Sequence, residues 1–277
     1  AVQRNMGWDA AVSSLQYQRD TRPLACILAC GPTGVGKTET AHLLARTLYQ
    51  GRTITLNGGD VGPEAPHGVA TWVGAPPGYV GYNQGGTLTD GLRTHRACVI
   101  LVDELEKASP EAVQNILLPL MGDGSVVDRS TGDTLWASEC IILATSNTHL
   151  EQRRSMGFRA SQGYDSGDEA LEAQLGQYLL PEIIGRFNEV LSYAPLGLVE
   201  KRTIWDREMV SLLRRRGLSG EVKYDASAAE WLHSRLSSIS TGARGVRDLF
   251  QEMLPSLAED VHPPLMLTML GGRLIWA

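Results

Sequence analysis

No stretch of this chain approaches the ~20 consecutive apolar residues that a membrane-spanning helix needs. Its first residues, AVQRNMGWDAAV, contain no apolar h-region, so no signal peptide is read there. Cysteine is scarce: Cys26, Cys30, Cys98 and Cys140 each lie inside or at the start of an apolar run, and none forms a C-x-x-C pair. That placement speaks against a disulfide framework or a zinc site and predicts buried, reduced thiols in a cytoplasmic protein. The six histidines show no ligand spacing either. Basic residues are outnumbered, 25 Lys and Arg against 31 Asp and Glu, leaving a net charge of −6 and a pI near 5.6. A nucleic-acid binder that relies on a broad basic surface does not look like this. The one basic run, Arg214-Arg215-Arg216, reads as a solvated helix face. Internal repeats and low-complexity tracts are missing as well.

What is present has a regular texture. A length of 277 residues suits one large core or two unequal domains, and 43% apolar with 20% charged residues is ordinary for a globular chain. LACILAC (24–30), TITLN (53–57), CVILVDE (98–104) and CIILATSN (140–147) are short apolar runs. The last two are nearly continuous, as parallel strands covered on both faces require. Helical patterns lie between them. ETAHLLARTLYQ places Ala41, Leu44, Ala45 and Leu48 on one buried stripe and stops at Gly51. SPEAVQNILLPLMGDG starts on a Ser-Pro cap and ends at Gly122. Alternating strands and helices predict a parallel α/β sheet. NGGDVGPEAPHG (57–68) reads as a long turn-rich connection. Beyond a boundary near Pro195-Leu196-Gly197 the pattern becomes helical through three segments, followed by a short apolar tail, LMLTMLGGRLIWA.

Two motifs carry phosphate chemistry. GPTGVGKT, residues Gly31, Pro32, Thr33, Gly34, Val35, Gly36, Lys37 and Thr38, fits G-x-x-x-x-G-K-[ST] and sits between an apolar strand and an amphipathic helix. Glycines let backbone N–H groups close around phosphates at a helix N-terminus. Lys37 would reach the β- and γ-phosphates of ATP, and the Thr38 hydroxyl would hold Mg²⁺. In VILVDE, Asp103 offers a carboxylate to the magnesium shell, as a Walker-B aspartate does. Glu104 beside it is placed to polarise an attacking water, so the chemistry expected is ATP hydrolysis. The plain alternatives are a glycine-rich turn with an incidental lysine and a pair of exposed acids capping a strand.

GAPPGYVGYNQGG (74–86) is unusual, because five glycines and two prolines carry Tyr79, Val80 and Tyr82 on a mobile frame. Together with GPTGVGKTE, VILVDELEKASPE, ILATSN, LLPEIIGRFNEVLSYAPL and TGARGVRD, it resembles the ATPase module of the Clp unfoldases in order and over nearly the whole chain. These are AAA+ proteins that thread polypeptides through a hexameric ring, and the likeness is nearest to the second module of the two-module members. The resemblance implies an AAA+ P-loop NTPase domain over residues 1–195, a parallel sheet flanked by helices. It also implies a small, mostly helical lid domain over 196–277, with ATP and Mg²⁺ bound between the two. Gly78, Tyr79, Val80 and Gly81 match the pore loop that grips substrate by apolar contact. A tyrosine that packs down on the domain is the other reading.

By the same resemblance Asn147 is the sensor that orients the attacking water, and Arg186 is the finger reaching a neighbouring subunit's ATP. Arg244 would sense the γ-phosphate, Met6 would lie in the adenine-contacting turn, and 128–134 would be a second pore loop. Met156-Gly157-Phe158 matches the tripeptide with which peptidase-coupled members dock on a ClpP-like ring. The chain departs from the family in several places. Trp8 replaces the usual glutamine, NGGDVGPEAPHG replaces an acidic helix, and Gly245 and Asp248 stand where proline and arginine are usual. No substrate-selecting domain or first ATPase module precedes the motifs, so a fragment, or a chain served by an adaptor, is expected. The function expected is an ATP-dependent unfoldase acting on unfolded protein in a homo- or hetero-hexameric ring, without membrane or nucleic acid. Its alternatives are a peptidase-independent disaggregase or secretion-sheath disassembly ATPase, a nucleic-acid AAA+ loader, and a non-hydrolysing scaffold.

Overall fold

The four apolar runs pair side by side in one sheet. The computed structural model describes residues 21–65, 68–79, 85–148, 174–177, 179–218, 220, 222–257, 265–270 and 273–276. In chain order the first elements are β1 (Ala25–Cys30), α1 (Lys37–Leu48), β2 (Thr53–Asn57), α2 (Thr87–Thr94) and β3 (Val99–Asp103). Helix α3 then runs through Pro110–Ala112, a π turn at Val113–Leu117 and Leu118–Gly122. Ser109 caps it by accepting the Ala112 N–H at 3.2 Å. The π turn lies just ahead of Pro119, which has no N–H for the carbonyl of Asn115. There follow β4 (Ser125–Val127), β5 (Thr134–Trp136), β6 (Ile141–Ser146), α4 (Pro181–Ile184) and β7 (Glu189–Ser192).

The sheet order is β2-β3-β6-β1-β7, and β2–β3, β3–β6 and β6–β1 pair in parallel. Leu28, Leu101, Ile100, Ile142 and Leu143 are wholly buried, which accounts for the unbroken apolar runs. Helix α1 buries Ala41 and Ala45, but the expected stripe is shorter than its periodicity suggested. Leu48 is 56% exposed, because the helix ends at that residue and the chain turns away through Gln50 (φ 55°) and Gly51 (φ 84°).

Two compact units result: one takes Thr38–Leu191 with the chain up to Cys30, the other Gly31–Lys37 with Ser192 onward. The second unit comprises α5 (Leu198–Arg215), β8 (Lys223–Tyr224), α6 (Ala226–Ser238), α7 (Gly242–Leu257), β9 (Met266–Leu270) and β10 (Arg273–Trp276). Its core is Trp205, Met209, Leu232, Leu236, Val246 and Phe250, with the Trp205 and Phe250 rings edge to face at 5.1 Å. The apolar tail is not a loose end. Strands β9 and β10 pair antiparallel, and β8 joins β9 in parallel. Buried Lys201 donates to the carbonyls of Leu236 (3.2 Å) and Ile239 (2.7 Å), satisfying the C-terminal end of α6. Arg214, Arg215 and Arg216 are exposed, as a solvated face requires. Among the described residues no helix is long and apolar enough to cross a membrane.

Candidate active site

The loop between β1 and α1 owes its shape to its glycines. Gly31, Gly34 and Gly36 have φ of 146°, 74° and 104°, a region that residues with a Cβ resist. A Cβ at Gly31 would lie 2.4 Å from the Tyr193 carbonyl oxygen, and one at Gly34 would lie 2.3 Å from that of Thr241. Lys37 is 7% exposed, and its ammonium donates to the carbonyls of Gly31 (2.6 Å) and Pro32 (2.7 Å). Thr33 is exposed, whereas Pro32 and Val35 are half-buried. The first turn of α7 meets this loop: the Ala243 N–H donates to the Gly34 carbonyl at 2.7 Å. Arg244, one residue further on, is therefore held beside the loop with its side chain exposed.

In the first unit the strand ends converge. Register aligns Asn57 with Asp103 and Cys30 with Ser146, so β1, β2, β3 and β6 finish along one edge, where open α/β sheets bind ligands. Thr38 Oγ1 donates to Asp103 Oδ1 at 3.2 Å. The Thr145 hydroxyl donates to the same oxygen at 2.5 Å and accepts the Glu104 N–H at 3.1 Å. Glu104 adopts φ 55°, ψ 51°, a left-handed conformation that costs a non-glycine residue roughly 1–3 kcal/mol and is concentrated at functional sites. Its Oε2 pairs with Lys107 Nζ at 2.7 Å, and that hydrogen bond raises the Lys107 pKa above its ordinary value. Asn147 donates through its backbone N and its Nδ2 to Glu106 Oε1, both at 3.1 Å, while Glu106 Oε2 is buried with no hydrogen-bond partner.

Thr38, Asp103, Glu104 and Asn147 are thus gathered at the strand ends. Arg186 is placed elsewhere. It is exposed after α4, its Nη1 3.2 Å from where a Cβ on Gly122 would be, at the end of α3. Helix α3 starts just past Glu104 and rises about 1.5 Å per residue, so its far end lies roughly 18 Å along the axis from its start. Tyr79 is 70% exposed and follows Gly78, whose φ is 92°. Residues 128–134 close the hairpin of β4 and β5. Val80, Gly81, Met6, Met156, Gly157 and Phe158 lie outside the described residues.

Three members of the cluster were not singled out from sequence: Thr145, Glu106 and Lys107. The signal for Thr145 was a hydroxyl at the end of an apolar buried strand, where it is only 2% exposed and needs partners. Thr145→Val keeps the shape, removes one of the two hydroxyls that donate to Asp103 Oδ1 and takes away the acceptor of the Glu104 N–H. Losing hydrogen bonds to a charged group costs ~1.5–3 kcal/mol, so turnover should fall about tenfold or more with an unchanged far-UV spectrum. Turnover within twofold of the parent would remove Thr145 from the site.

Residues 22–190 match the family model described as AAA domain (Cdc48 subfamily). The chaperone protein ClpB of Agrobacterium fabrum is 34% identical over 260 residues, covering 93% of this chain and 28% of that protein. ClpB of Helicobacter hepaticus is 35% identical over 241 residues, 86% of this chain and 27% of its own length. The chain therefore spans under a third of the length of these curated relatives. A closed-state structure of Hsp104 with ATPγS and FITC-casein matches with a TM-score of 0.71 and 25% identity, over 93% of this chain and 45% of that one. The S. cerevisiae Hsp104–ADP complex matches with a TM-score of 0.64 and 26% identity, over 86% and 41%.

Proposed function

Because the chain belongs to the AAA domain family (Cdc48 subfamily), we propose that it hydrolyses ATP to draw polypeptide through the pore of a six-membered ring, as a protein-remodelling module. The residues fit a magnesium nucleotide. The glycine loop presents backbone around a buried lysine, and Thr38 sets its hydroxyl 3.2 Å from the Asp103 carboxylate, an oxygen pair of the kind Mg²⁺ takes alongside phosphate. When bound, the magnesium nucleotide supplies a transferable phosphoryl group and the cationic charge that stabilises its loss.

The remaining roles fall to the chain. Lys37 and the loop amides neutralise and orient the phosphates. Glu104 takes the proton of the attacking water, its backbone fixed by Thr145. Lys107 holds the Glu104 carboxylate in the structure described here and must yield it before it can act on water. Asn147, anchored on Glu106, faces the same edge and aligns the water. Arg244 reports on the nucleotide from α7. Arg186 serves a neighbouring copy, since α3 separates it from its own chain's Glu104. We assign residues 1–195 and 196–277 to the large domain and the lid, and place Met6 in the adenine-contacting turn. The four buried cysteines fit a cytoplasmic setting.

The observation that carries the remodelling role is Tyr79, 70% exposed on a glycine frame, where a phenol can press on any extended chain. A net charge of −6 disfavours the nucleic-acid loader, and Lys37, Asp103, Glu104 and Arg186 together disfavour a silent scaffold. The Hsp104 structure with casein and the chaperone names of the relatives favour remodelling of protein. Hand-off to a ClpP-like peptidase rests on Met156-Gly157-Phe158 alone, and co-sedimentation with such a peptidase in ATPγS decides it. For the pore role, Tyr79→Ala should keep basal ATP turnover within twofold and abolish its stimulation by casein. Equal stimulation of mutant and parent would sink the threading model.

A further inference from the structure

The Tyr79 loop leaves the domain at Val73-Gly74 and returns at Gly86, the N-terminal boundary of α2. Both stems meet the hairpin loop 128–134. On the outgoing side the Arg129 N–H donates to the Val73 carbonyl at 2.8 Å. A Cβ on Gly74, whose φ is 80°, would lie 3.2 Å from Asp128 Oδ1 and 3.3 Å from the Ser130 hydroxyl. On the returning side α2 projects Arg93, which forks onto the Asp128 carboxylate, onto Asp133 at 2.7 Å and onto the Thr131 hydroxyl at 2.8 Å.

Asp128 is the centre of this arrangement. Its side chain is wholly buried, and it also accepts the Ser130 N–H (2.8 Å), the Ser130 hydroxyl (2.6 Å) and the Thr131 N–H (3.3 Å). Burial alone would favour the neutral acid, but these hydrogen bonds and the Arg93 guanidinium outweigh it and hold the pKa at about 2. The carboxylate's contribution to stability is complete above its ordinary value near 4 and is lost only as pH falls towards 2. A buried charge with this many partners is costly to break and fixes one geometry.

We propose that Arg93 is a positioning residue. With Asp128 and Asp133 it locks both stems of the Tyr79 loop to the 128–134 loop, so that the two move as one jaw. This deepens the threading reading and rests on it for its purpose. A glycine-rich loop of thirteen residues, 74–86, transmits little force if its base is free, because each stem can give instead of the substrate. Tying both stems to one buried carboxylate through Arg93 transfers motion of α2 and of the hairpin to the ring of Tyr79.

The test separates positioning from threading. A nitroxide attached at Tyr79→Cys reports loop mobility without any substrate, and the native thiols are buried. Arg93→Met should sharpen the spectrum of the label at 79 and leave ATP turnover without substrate within twofold. In the unlabelled chain that keeps Tyr79, Arg93→Met should also raise the ATP consumed per fluorescent protein unfolded at least fivefold. Arg93→Lys keeps a cation but not the fork and should fall between the two. Asp133→Asn changes a carboxylate that is 63% exposed, so it tolerates substitution, and it should loosen the label to a smaller extent. A folded Arg93→Met chain with unchanged label mobility overturns the proposal, as does an Asp133→Asn chain identical to the parent should Arg93→Met fail to fold. If Tyr79→Ala unfolds substrate normally while the label still loosens in Arg93→Met, the threading reading fails and the lock stands.

Discussion

Glu104→Gln is expected to lower ATP turnover by ~10²–10⁴ while the nucleotide stays bound. The substitution keeps the shape and removes the ability to take a proton. The left-handed backbone at Glu104 and its N–H bond to Thr145 do not depend on the carboxylate, so the strand end should hold its geometry. Asp103 and Thr38, 3.2 Å apart, are untouched, which preserves the ligands proposed for the cation. The change also releases Lys107 from its 2.7 Å pairing with Glu104, a loss on a half-exposed side chain worth little to the fold. Stopped turnover with retained binding of a fluorescent ATP analogue is the expected pair of results. Turnover within a few-fold of the parent would take the role of base away from Glu104.

Arg186→Ala should be as damaging for a different reason. An arginine supplied to a phosphoryl-transfer site contributes ~10³–10⁵ in rate, about 4–7 kcal/mol of barrier. Arg186 sits exposed against the Gly122 end of α3, while Glu104 precedes the start of that helix. On the reading proposed above, Arg186 stands at the far end of α3 from Glu104, so its effect is expected to pass to a neighbour. Mixing Arg186→Ala with Lys37→Ala should therefore recover part of the turnover, because some interfaces pair an intact loop with an intact finger. No recovery at any ratio, with co-assembly confirmed by light scattering, would count against a finger acting between subunits.

The parts of the fold that were legible in the sequence are those in which burial imposes a pattern. VILVD and IILATS are apolar up to the polar residues at their C-terminal ends because the sheet is covered on both faces, and their bounds were readable to within a residue. The glycine loop was readable because its φ values admit little else. Periodicity misled at Leu48, where the helical stripe continues in sequence but the helix ends. The tail LMLTMLGGRLIWA hid a hairpin: two apolar runs flank a Gly-Gly pair, a signal passed over because the surrounding texture was helical. What remained out of reach were partners distant in the chain. The Thr145–Asp103, Asn147–Glu106 and Arg93–Asp128 contacts each join residues 35 or more positions apart, and polar residue types alone do not say which will meet.

One measurement bears most directly on the claim that ATP hydrolysis in this chain moves protein. A stable fluorescent protein carrying an unstructured tail is mixed with the assembled chain, and its native fluorescence is followed with ATP and with ATPγS. Fluorescence should fall with ATP when a trap prevents refolding, persist with ATPγS, and persist with ATP in the Tyr79→Ala variant. Undiminished fluorescence from a chain that assembles into rings and hydrolyses ATP would contradict it.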